Sequence, residues 1–257
     1  MTGRFDLPAF EGASHVRFPE IHRATLDSGL AVWTIESRVA PIAAALLVVN
    51  GGAAGDPEAL PGLCGLAADM MDEGAGSRDA VAIADAFLRL GTHLEIEVGS
   101  DVTTLGLTAL SRALPEALAL LGDVVIRPRF AAPDFDRILD LRLNRLRQLS
   151  RSPAAAADRI FLSHVFSGHP YGHGALGTTA SLQTMTVDDA RGFWARSILP
   201  DGATLIVAGD VAHDAIVRTA GQVFADWRSA VRPAPSLPAA GNGRRSGRVL
   251  LVDRPQA

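Results

Sequence analysis

The sequence predicts an α+β protein, and three features predict it. Strand-length runs, alternating or apolar throughout, gather at 21–49 and 92–110. Long amphipathic helical patterns cover 79–91, 114–126 and 133–149. One more buried strand pattern, 204–211, follows a stretch of helices.

The elements follow in order. Residues 1–20 read as an irregular lead-in. Ile21–Glu36 alternates around Asp27-Ser28-Gly29 and is predicted as a hairpin. Pro41 then breaks the chain, and Ile42–Val49 is nearly all apolar, which predicts a central strand covered on both faces. Asn50–Gly55 is a small-residue turn. Between Pro61 and Ala75, Leu63, Leu66, Ala67, Met70 and Met71 fall at helical spacing. A short helix is expected there, stopped by Gly74, with Asp72 and Glu73 at its exposed end. Cys64 lies on its apolar side and reads as a small buried hydrophobe, not a nucleophile.

Asp79 caps the next helix, whose predicted face is Val81, Ile83, Ala84, Phe87, Leu88 and Leu90, and Gly91 ends it. Two strands, Thr92–Val98 and Val102–Leu110, flank Gly99-Ser100-Asp101. Period two puts His93, Glu95 and Glu97 on one face of the first, where a solvated surface is favoured over a metal site. Leu114–Ile126 carries Pro115 in its first turn and buries Leu118, Leu121, Val124 and Val125. The longest helical pattern is Pro133–Leu149. Phe135, Ile138, Leu139, Leu141, Leu143 and Leu146 supply its apolar positions, and Arg137, Asp140, Arg142, Arg145 and Arg147 its charged face.

Ala154–Phe166 is another helix, opened near Ser152-Pro153. Gly168–Gly177 reads as a Gly/Pro turn whose histidines make hydrogen bonds, in preference to a metal site of His164, His169 and His173. Thr204–Val211 is a buried strand, and Ile216–Trp227 the final helix. Residues 231–247 are a Pro/Gly/Ser tether, and 248–253 one further strand.

Composition removes several classes. With 257 residues, 48% hydrophobic and 20% charged, the chain can bury a sizeable core and is not a disordered segment. A net charge of -4 without a Lys/Arg-rich block argues against nucleic acid as partner. One cysteine excludes an internal disulfide. No apolar run is long enough to cross a membrane, and residues 1–20 contain no apolar signal core. The cytoplasm is the expected compartment, with the periplasm left open.

Several segments share an order and spacing with one family. They are Asn50-Gly51-Gly52-Ala53, the Gly62-Leu63 helix, His169-Pro170-Tyr171-Gly172, Val187–Trp194 with Leu199-Pro200 behind it, and the strand ending Gly209-Asp210. From Arg23 to Ala257 the chain resembles the pitrilysin/insulinase family of zinc metallopeptidases, the processing-peptidase type included. That family carries an inverted zinc motif, His-x-x-Glu-His, on the helix found here at 61–75. Laid on this sequence, the motif positions are Gly65, Ala68 and Asp69. Two imidazoles one turn apart reach one zinc ion, and the intervening glutamate takes a proton from its water. Gly65 and Ala68 offer nothing, and Asp69 alone is one hard ligand. The family's third ligand, a glutamate, falls near Asn144 and Arg145, and a guanidinium there repels a cation.

The resemblance implies an antiparallel or mixed sheet with helices packed on one face, a half-domain of the insulinase/processing-peptidase type. It makes 21–230 an N-terminal domain and 248–257 the start of a second homologous half that is absent here. It implies a non-catalytic subunit with no metal residues and no cofactor of its own. A catalytic family member with an intact motif and its zinc, or a second copy, completes a peptide chamber, with His93, Glu95 and Glu97 touching peptide. Two alternatives stand beside it. One is a zinc metalloendopeptidase using Asp69 with Asp72, Glu73 or the His169 loop; the other is a structural core-type subunit of a larger complex.

Overall fold

The computed structural model describes residues 18–228, Gly247 and 249–253. The predicted lead-in up to residue 17, the 231–247 tether apart from Gly247, Arg248 and residues 254–257 lie outside them.

The hairpin is β1 (His22–Thr25) and β2 (Ala31–Glu36), turned at Gly29, whose φ of 89 suits a residue without a Cβ. β3 (Ile42–Asn50) is followed by α1 (Leu63–Asp69), the short ribbon β4 (Gly74–Ala75) with β5 (Arg78–Asp79), and α2 (Ala80–Arg89). Then come β6 (Glu95–Val98), β7 (Val102–Leu110), α3 (Leu114–Ile126), α4 (Ala132–Arg151) and α5 (Pro153–Val165). α6 (Thr179–Thr184), α7 (Val187–Ser197), β8 (Thr204–Gly209) and α8 (His213–Val223) complete the described order. The main sheet is mixed, in the order β1-β2-β8-β3-β7-β6. β8 inserts between β2 and β3, parallel to the first and antiparallel to the second.

Helices cover one face of this sheet. Leu47, Leu105, Leu205 and Val207 project from it and are fully buried against Leu118 and Leu121 of α3, Ala220 of α8 and Phe87 of α2. Each such side chain contributes about 1.5–3 kcal/mol by leaving water. A second core joins α1 to α4, α6 and α7 through Leu66, Met70, Ile138, Leu182 and Phe193. The Trp194 indole, donating to the Val125 carbonyl at 3.1 Å, links α7 to α3.

The structure corrects several expectations. β3 is not covered on both faces: Ala43, Ala45, Leu47 and Val49 are buried, while Ile42 and Leu46 are 48% and 39% exposed. Its small and aliphatic residues erase the alternation that one-sided burial usually writes into a strand. α1 ends at Asp69, not at Gly74. The backbone of 74–76 is taken by pairing with 78–79 and by bonds to Arg127 and Arg129, so it cannot stay helical. On α2 only Ile83 and Phe87 are buried; Val81, Ala84 and Leu88 face outward. α8 starts three residues earlier than predicted, its first N–H given to the Glu36 carboxylate, and stops before Phe224. Residues 249–253 form no strand and stand exposed. α6 escaped the sequence reading because six residues carry too little periodicity; Thr178 and Ser181 form its capping box.

Candidate functional site

α1 is buried on nearly every side: Leu63, Cys64, Gly65, Leu66, Ala67 and Ala68 have almost no exposed surface. Its N-cap position is Gly62, which has no side chain to cap with, and Asp56 does the capping from six residues upstream. Asp56 Oδ2 accepts from Gly62 N at 2.6 Å and Oδ1 from Cys64 N at 2.7 Å. The carboxylate therefore satisfies two donors that the helix leaves orphaned.

Gly65 and Asp69, one turn apart, share the α1 face that the motif would use. Across from it, α4 delivers Arg142, 7% exposed. Its Nη1 donates to Asp69 Oδ2 and its Nη2 to the Ala175 carbonyl, while its Nε is buried without a partner among the described residues. A Cβ at Gly65 would overlap the Ala175 carbonyl oxygen and lie 2.6 Å from Arg142 Nη2. The missing side chain is thus what lets the 173–177 loop rest on the helix. Gly62 and Gly177 repeat the arrangement, a Cβ on the former lying 2.5 Å from the latter's Cα.

Four further contacts hold the loop and the helix behind it down. Arg159 Nη2 donates to the Gly177 carbonyl at 2.6 Å, and Ser181 Oγ to the Pro61 carbonyl at 2.7 Å. His173 Nε2 reaches Ala53 O at 2.9 Å and Asp56 Oδ2 at 3.1 Å. Both partners are acceptors, so Nε2 carries a proton. The bond to Asp56 favours the imidazolium and outweighs burial, so the His173 pKa is raised.

The predicted site residues are distributed as follows. Ala68 is buried apolar contact. Asn144 and Arg145 are exposed on α4, Asn144 accepting from Arg147 at 2.6 Å, so neither faces α1. The α4 residue that faces it is Arg142, which the charge pattern had placed on the outer face. Asp72 and Glu73 follow the helix instead of ending it. Burial pushes the Asp72 carboxyl up to about 6, helped by Glu73 and Asp69, and Glu73 pairs with Arg137. His93, Glu95 and Glu97 stand exposed, with His93 Nε2 2.9 Å from Glu95 Oε1. His164 is exposed, and His169 Nδ1 accepts from Tyr171 N at 3.1 Å, so the loop histidines do not converge. Burial pushes the Cys64 thiol up to about 12, which leaves it protonated and unreactive.

These residues do not fit a zinc ion. The helix presents no imidazole, its one carboxylate is already paired with a guanidinium, and a backbone carbonyl fills the space above Gly65. Among the described residues no three His, Cys, Asp or Glu side chains are placed to share a metal.

Comparison with known proteins gives the arrangement its context. Residues 31–179 match the model of the insulinase family, peptidase family M16. An uncharacterized zinc protease of Mycobacterium tuberculosis is 29% identical over 234 residues, which cover 90% of this chain and 53% of that protein. The probable mitochondrial-processing peptidase subunit beta of Schizosaccharomyces pombe is 23% identical over 210 residues, 80% of this chain and 45% of that one. The chain thus spans about half the length of the curated relatives it matches. Among solved structures, a peptidase M16 inactive domain from Pseudomonas fluorescens superposes with a TM-score of 0.79 at 25% identity, covering 84% of this chain and 53% of that one. Pitrilysin superposes with a TM-score of 0.75 at 17% identity, covering 88% and 25%, and supports the fold alone. By its sequence and its fold, this chain belongs to the insulinase family of peptidases.

Proposed function

We propose that this chain is a non-catalytic member of its family, which pairs with a zinc-bearing member to complete a peptide-degrading or peptide-processing chamber. The observation that carries the reading is Arg142. A buried guanidinium bonded to Asp69 and to a loop carbonyl turns the metal-bearing face of α1 into a packed, cationic contact. A cation there would meet both Coulomb repulsion and an occupied volume. The chain's part in the chamber is then closure and contact with extended peptide, which can add to the sheet beside the short edge strand β6, near Glu95 and Glu97.

The test is capture of the chain from its own cells, with mass spectrometry of what accompanies it and zinc titration of the purified chain. Recovery of a family member with an intact His-x-x-Glu-His in equal amount, and no stoichiometric zinc in this chain, is the expected result. Tight one-to-one zinc binding with chelator-sensitive peptide cleavage by the isolated chain overturns the reading.

A further inference from the structure

The 99–101 turn, which joins β6 to β7, is gripped by two segments far from it in sequence. The first is 52–54, where Ala53 N donates to the Gly99 carbonyl at 2.9 Å and Ala54 N to the Ser100 carbonyl at 2.8 Å. A Cβ at Gly52 would lie 2.5 Å from the Ser100 oxygen, so this approach depends on a residue without a side chain. The second is the single helical turn Pro170–Gly172, which brings Tyr171 to the same place. Its hydroxyl donates to Asp101 Oδ1 at 2.7 Å, across 70 residues of sequence. The Tyr171 ring is itself braced, edge-on to Phe166 with centroids 5.8 Å apart and to His169 at 4.8 Å. The two grips are also joined, since His173 Nε2 lies 2.9 Å from the Ala53 carbonyl oxygen.

We propose that Tyr171 and Asp101 are positioning residues for β6, fixing the strand beside which extended peptide adds. The inference rests on the reading of β6 as a peptide-bearing edge and deepens it. Among the described residues β6 pairs on one side only, with β7, and through just four residues. So short a strand has few bonds of its own to hold it, and its placement depends on the turn at its end. Tyr171 holds that turn at Asp101, next to the first residue of β7, while 53 and 54 hold it at 99 and 100. Without the hydroxyl the turn keeps one grip of two. A peptide that joins a looser strand must first order it, and affinity falls. This gives the tyrosine of the His169-Pro170-Tyr171-Gly172 segment a task. The bond to Asp101 retains the phenol proton, so the Tyr171 pKa is raised. As the one tyrosine of the sequence, it reports that bond through its own absorbance.

Three variants of the full chain test the proposal. Tyr171→Phe removes the hydroxyl and keeps the ring, Asp101→Ala removes the acceptor, and Asp101→Asn keeps an acceptor oxygen. Urea unfolding checks that each is folded. Hydrogen exchange over 95–98 is expected to quicken about two- to tenfold in Tyr171→Phe and in Asp101→Ala, the worth of one hydrogen bond. Asp101→Asn is expected to keep the protection, and Tyr171→Phe/Asp101→Ala to exchange no faster than either single variant. The wild-type phenol is expected to ionise at a higher pH than that of Asp101→Ala, followed by near-ultraviolet absorbance. The probe for the edge is a dye-labelled peptide alternating valine with lysine, whose lysines can face Glu95 and Glu97. Its dissociation constant is expected to rise at least about twofold in Tyr171→Phe. Unchanged exchange, a phenol titration indifferent to Asp101, or an unchanged peptide affinity overturns the proposal. A wild type that takes no peptide sinks the peptide-bearing reading of β6 instead, and the brace is then decided by exchange and titration alone.

Discussion

The Asp56 carboxylate has no exposed surface, and it accepts from two backbone N–H groups at the start of α1 and from the His173 imidazole. It ties together segments 117 residues apart. His173, with its pKa raised, contributes stability that is fully present below its unfolded value, about 6.5, and is lost as pH rises through the folded value above it. His173→Gln keeps an N–H donor and removes the charge. Urea unfolding is expected to find this variant less stable than wild type at pH 5.5 by about 1–3 kcal/mol, the range of a hydrogen bond to a charged group, with the gap narrowing at pH 8.5. A gap that widens toward pH 8.5 contradicts the assignment. The sequence announced half of this pair: histidines in a Gly/Pro turn read as hydrogen-bonding groups. Asp56 carried no such signal, because it caps from six residues away, outside the spacing at which capping is read from sequence.

At the scale of elements, α1 and the 173–177 loop form one packed unit, and Gly65 is the position that allows it. Gly65→Ala places a methyl group against the Ala175 carbonyl, which is backbone and has no rotamer to yield. The expected cost is about 1–3 kcal/mol of unfolding free energy, the usual penalty of overpacking, read as a lowered denaturant midpoint. An unchanged midpoint would show that the loop is not seated there. The empty motif positions were legible, since Gly65, Ala68 and Asp69 can be read without coordinates. What packs against that face was not. Phe135, Ile138, Arg142 and Leu146 form the buried stripe of α4, so Arg142 interrupts an apolar row. That interruption was the available signal, and the neighbouring Leu139, Leu141 and Leu143 hid it by blurring the stripe.

At the scale of the molecule, two cores and one open sheet face among the described residues set where substitutions are felt. Leu47→Ala, on the helix side of β3, is expected to cost about 2–5 kcal/mol, as the Ala side chain leaves a cavity under α3 and α8. Leu46→Thr, one residue away on the open side, is expected to change monomer stability by less than about 0.5 kcal/mol. Equal losses at the two positions would mean that both faces of the strand are covered. The fold class and most elements were legible from period and turn residues, and the sidedness of the sheet was not, because it depends on what lies above each face. The position of β8 bears on how the protein is made. Among the described residues, the ribbon β1-β2 and the ribbon β3-β7-β6 join in the sheet through β8, which the ribosome delivers last of the six. Between Leu110 and Thr204, at about 5–20 residues per second, the nascent chain spends roughly 5–20 s with two facing strand edges bare. Those edges are the natural targets of wrong pairing, so holding the emerging chain apart until Gly209 has appeared is a requirement that this topology places on the cell.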